Sequence, residues 1–103
     1  MFNVVFIKQI FDAEEASPDV RFAVLQRKEQ LPFAPVPGHA FFWNTDRAQK
    51  LVSVTWDFSG SNFSCNVEDE FPDNYSPDGF DFEELVENAQ SNGWTLVRVY
   101  EAK

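Results

Sequence analysis

The chain has 103 residues, with 8 Lys+Arg against 17 Asp+Glu, a formal net charge of −9, and 17% aromatic residues (12 Phe, 3 Trp, 2 Tyr). Disordered chains are poor in aromatics and cannot bury enough apolar surface to offset the entropy of ordering, so that class is excluded. Four Gly and one Cys likewise exclude collagen-like and disulfide-scaffold classes. The length is that of one domain spanning 1–103, enough to bury roughly two-thirds of its unfolded surface without metal or disulfide staples.

Phe2–Phe11 (FNVVFIKQIF) carries Val, Ile and Phe at both alternating positions until Lys8 and Gln9, which predicts a strand covered on both sides or nearly so. Asp12–Asp19 is a polar break, punctuated by Pro18. In Val20–Arg27, Val20, Phe22 and Val24 share one face and Arg21, Ala23, Leu25 and Arg27 the other, so a second strand is expected. Leu31–Gly38 (LPFAPVPG) holds three prolines, which remove ladder donors and predict an extended edge or loop segment. His39–Asn44 (HAFFWN) regains strand character before a polar turn.

A hairpin is expected next. Val52, Val54, Trp56 and Phe58 alternate with Ser53, Thr55 and Asp57, and Phe63, Cys65 and Val67 alternate with Ser64, Asn66 and Glu68. The Ser59–Asn62 turn joins these two period-2 runs. Asp69–Gly79 reads as loop by its Pro, Gly, Asn and Asp content.

The spacing then predicts a helix over about 81–92. Asp81 suits the N-cap, with Glu84 as its capping-box partner and Phe80 with Leu85 as a hydrophobic staple. Phe82, Leu85, Val86 and Ala89 form one apolar stripe, and Gly93 suits the left-handed residue that ends the helix. Trp94–Glu101 supplies the last strand. The order is β-β-β-β-β-α-β, an α+β fold in which one helix packs on one face of a mainly antiparallel sheet of five or six strands.

Charge is unevenly distributed. Residues 1–50 hold six basic and six acidic side chains, whereas 51–97 hold ten acidic ones and no base. One explanation is a solubilising surface together with acids that complement the helix dipole. The other is an acidic platform that speeds encounter with a basic partner.

Catalytic signatures are missing. One His and one Cys do not make a zinc site, and Cys65 falls on the apolar side of its strand. The loop Asn74–Gly79 has oxygen side chains at the first, third and fifth positions of a calcium loop, but Leu85 stands where the bidentate carboxylate belongs. Glu68, Asp69, Glu70 and Asp73 contain the raw material of an acid pair without a cleft to place it. No cofactor or metal is expected. The net negative charge also opposes direct contact with nucleic acid or anionic lipid. The first residues lack a basic start and a long apolar run, so a cytoplasmic location is expected.

The sequence therefore predicts a small acidic interaction module whose partner is a protein, basic in character and of the kind that includes nucleic-acid-binding proteins. The expected contact residues are Glu68, Asp69, Glu70 and Asp73 with the aromatic Phe33, Phe41 and Trp43. The alternative is a small-molecule-binding domain or minor enzyme with a pocket between sheet and helix.

Overall fold

The computed structural model describes residues 1–43, 48–72 and 81–102. They form strands β1 (Phe2–Phe11), β2 (Phe22–Leu31), β3 (Ala40–Phe41), β4 (Gln49–Asp57) and β5 (Asn62–Val67), helix α1 (Phe82–Ser91) and strand β6 (Thr95–Tyr100). The six strands make one mixed sheet in the order β3-β4-β5-β1-β2-β6. Every neighbouring pair is antiparallel except β1 with β5. The α+β class and the element order are those expected from the sequence.

The single parallel pair follows from connectivity. Strands β5 and β6 run in the same direction, so the chain between them must cross the sheet, and α1 lies in that crossover. The helix packs on β1 and β6 from one side. Its start is fixed by Asp81, whose carboxylate accepts the Glu84 N–H at 2.8 Å. Its end is a Schellman arrangement: the Trp94 N–H donates to the Ala89 carbonyl at 3.1 Å and the Gly93 N–H to that of Gln90 at 3.3 Å. Gly93 has φ +99°, a conformation that a side chain would strain. Phe82, Val86 and Ala89 are buried, with Leu85 packed beside them. The proposed staple residue Phe80 lies outside the described residues.

Strand β1 is buried more deeply on one face than on the other. Val4, Phe6, Lys8 and Ile10 are all buried beneath the helix side, while Val5, Ile7 and Gln9 are only half-buried on the other. One face of the sheet is therefore bare of helix. Strand β2 is also longer than expected, pairing with β1 from Phe11↔Phe22 to Phe2↔Leu31. Its polar QRKEQ stretch hides that continuation, and ladder pairing overrides it.

Strand β4 carries a bulge. Leu51 opposes Val67 and Ser53 opposes Asn66, so Val52 is the extra residue. The helix-side face is consequently Leu51, Val54 and Trp56, of which Leu51 is buried, and Val52 is 64% exposed instead of sharing their face. Phe58 lies in the turn rather than on that face, and it is 87% exposed. The bulge changes the period by one residue, which alternation alone does not reveal.

Candidate interaction surface

The Pro-rich segment folds back over the helix side of the sheet. It brings the Phe41 and Trp43 rings to 5.1 and 4.9 Å from Phe6, and Trp43 to 5.4 Å from Trp94 in an edge contact. Both are half-buried and close one end of the core. Phe33 stacks on Phe41 at 6.3 Å and stays exposed, and Phe42, just past β3, is 64% exposed. Of the three aromatic residues expected to meet a partner, two are thus used in packing.

Among the described residues, the acids Glu68, Asp69 and Glu70 do not share one surface. Glu70 turns inward and pairs with Lys8, Nζ to Oε1 3.2 Å, while the same Nζ lies 4.5 Å from the centroid of the Trp94 ring. Lys8 is a buried cation held by a carboxylate and an aromatic face, and a buried charge is costly without such partners. Glu68 hydrogen-bonds along β4: its N–H donates to the Lys50 carbonyl, and its carboxylate accepts the Lys50 N–H at 3.4 Å. Asp69 opens into a groove beside Ile7, Gln9, Ser53 and Asn66, on the sheet face without the helix. Asp73 lies outside the described residues, as does the calcium-like loop Asn74–Gly79.

Which of Asp69 and Glu70 turns inward has a backbone cause. From Ile7 to Ile10 β1 advances three residues, while the paired chain advances four, from Asn66 to Glu70. One residue is absorbed there, which inverts the alternation and sets Glu70, instead of Asp69, on the buried side with Ile10.

Folding also dilutes the charge asymmetry of the sequence. Arg21 bridges Asp12 at 2.9 Å and the helix residue Glu83 at 2.6 Å, with its guanidinium over the Phe82 ring. The basic half of the sequence thus neutralises part of the acidic half, leaving Glu84 and Glu87 on the outer side of α1.

A different cluster stands out. At the end of the sheet away from α1, Phe63 opposes Val4 and Trp56 opposes Phe63 on the helix-side face. Phe2 approaches Phe63 at 6.0 Å, Trp56 meets Phe63 edge-on at 5.0 Å, and Phe58 meets Trp56 edge-on at 6.0 Å. These separations suit favourable ring pairs, yet Phe2 and Trp56 are each 42% exposed and Phe58 is 87% exposed. A ten-residue helix spans about 15 Å, and the molecule is 40 Å long, so α1 leaves this part of the apolar face bare. Alternation in the hairpin places Trp56 and Phe63 together; what that pattern lacks is the reach of the helix.

Cys65 lies in the core with no exposed surface, and burial pushes its thiol up to about 11. Among the described residues no three metal-ligating side chains come together. No helix of the described residues is long and apolar enough to cross a membrane. No family model matches this chain, and no match emerges among curated proteins or solved structures.

Proposed function

We propose that the chain is a protein-interaction module whose principal contact is the aromatic row of Phe2, Phe63, Trp56 and Phe58. The supporting observation is the exposure of a contiguous set of rings at the end of the sheet that α1 does not cover. Exposed apolar patches mark partner surfaces, and aromatic anchors supply much of the binding energy at such surfaces. Asp57 lies between Trp56 and Phe58 in the chain, at the hairpin turn, and stays ionised: its carboxylate accepts hydrogen bonds from the Ser59 hydroxyl and the Gly60 and Ser59 N–H groups, which lower its pKa. A carboxylate at the same hairpin end as the rings suits a partner carrying Lys or Arg, through ion pairing with the one and cation–π contact with the others. The net charge of −9 would steer such a partner. A cytoplasmic setting agrees with this reading.

Affinity capture with wild type, Trp56→Ser and Phe58→Ser side by side tests it. Both variants should stay folded, and each should weaken capture of the same partner by roughly thirtyfold, the loss expected at a hot-spot residue. Equal capture by all three proteins would reject the aromatic row.

A further inference from the structure

The sheet face opposite α1 carries a hollow that the aromatic row does not explain. It encloses about 220 Å³ and is lined by Ile7, Gln9, Val52, Ser53, Asn66 and Asp69, with Val67 at its base. Two irregularities shape it. One is the bulge that projects Val52 from β4, and the other is the extra residue that sets Asp69 beside β1. Bulges commonly re-aim side chains at binding sites.

The polar groups are arranged to accept hydrogen bonds. Asn66 Nδ2 donates to Ser53 Oγ at 2.9 Å, which leaves the Asn66 amide oxygen as an acceptor. Asp69 adds two carboxylate oxygens, and among the described residues no cation pairs with it. Ile7 and Val52 form an apolar wall beside these acceptors. A carboxylate, an amide oxygen and an aliphatic wall complement a planar group with several N–H donors on a hydrocarbon stem.

We propose that this groove receives one arginine side chain of a partner polypeptide, its guanidinium against Asp69 and its stem along Ile7 and Val52. Lysine fits less well, because its compact and strongly hydrated ammonium does not match acceptors spread across a groove. Partial burial raises the Asp69 pKa, so the native chain holds an ionised carboxylate there at a cost that an arriving cation would offset. The groove stands independently of the aromatic row and lies on the opposite face.

The probe is the peptide acetyl-Gly-Arg-Gly-amide, with a citrulline peptide of the same shape and no charge as control. Titration followed by amide chemical shifts should give saturable changes at Ile7, Gln9, Ser53, Asn66 and Asp69. Citrulline in place of arginine, or Asp69→Asn in the protein, should each weaken binding at least tenfold. Because the ionised Asp69 is penalised by burial, Asp69→Asn should remain folded and unfold at no lower denaturant concentration at neutral pH. Trp56→Ser should leave the titration unchanged, which separates this site from the aromatic row. Equal binding of the citrulline peptide, equal binding by Asp69→Asn, or shifts confined to other residues would overturn the assignment.

Discussion

Lys8 is the residue at which sequence pattern and structure part most sharply. In Phe2–Phe11 it reads as the polar end of an apolar strand, yet it occupies the same buried face as Phe6 and Ile10 and is 2% exposed. Its partners come from distant parts of the chain: Glu70 lies 62 positions away, and Trp94 follows the helix. No local pattern contains that information. Removing one member of a buried ion pair leaves the other charge uncompensated, which costs more than the pair itself contributes. Lys8→Ala should therefore destabilise the fold by about 3 kcal/mol, and the double change Lys8→Met with Glu70→Gln should recover most of the loss. Urea unfolding of the three proteins measures this. A Lys8→Ala midpoint equal to wild type would show that the pair holds nothing together.

Helix α1 shows how much a local signal can specify. Its start and end, its apolar stripe and its terminating glycine are all written within fifteen residues, and the structure follows them. Each of these features acts over three to five residues, so nothing elsewhere in the chain needs to be known. Asp81→Ala removes the acceptor of the Glu84 N–H and should cost about 1 kcal/mol of unfolding free energy. Chemical denaturation with an unchanged midpoint would contradict the cap.

The strands behave otherwise. Their existence and order are legible from alternation, but the bulges at Val52 and between Val24 and Leu25 in the β2–β6 pairing are not, because each depends on a partner strand. Alternation places Val52 on the face of Val54 and Trp56, and the bulge takes it off that face. The candidate site depends on the same hidden information. Asp69 and Glu70 take opposite faces by ordinary alternation, and one absorbed residue decides which of them turns inward.

For the whole molecule the controlling fact is a mismatch of sizes. A single ten-residue helix covers β1 and β6, Phe41 and Trp43 beyond the Pro-rich segment pack against Phe6, and the hairpin end keeps its rings in solvent. The acidic character of residues 51–97, prominent in the sequence, is weakened in space by Lys8 and Arg21. Aromatic exposure, more than charge, therefore distinguishes one part of this surface from another. The most direct measurement uses a photo-crosslinking phenylalanine analogue at position 58, with the same analogue at position 42 as control, since Phe42 is also an exposed ring at 64%. A covalent adduct with a partner polypeptide should form from position 58 and not from position 42. Adducts from position 42 alone, or from both positions equally, would contradict the assignment of the hairpin end as the interaction surface.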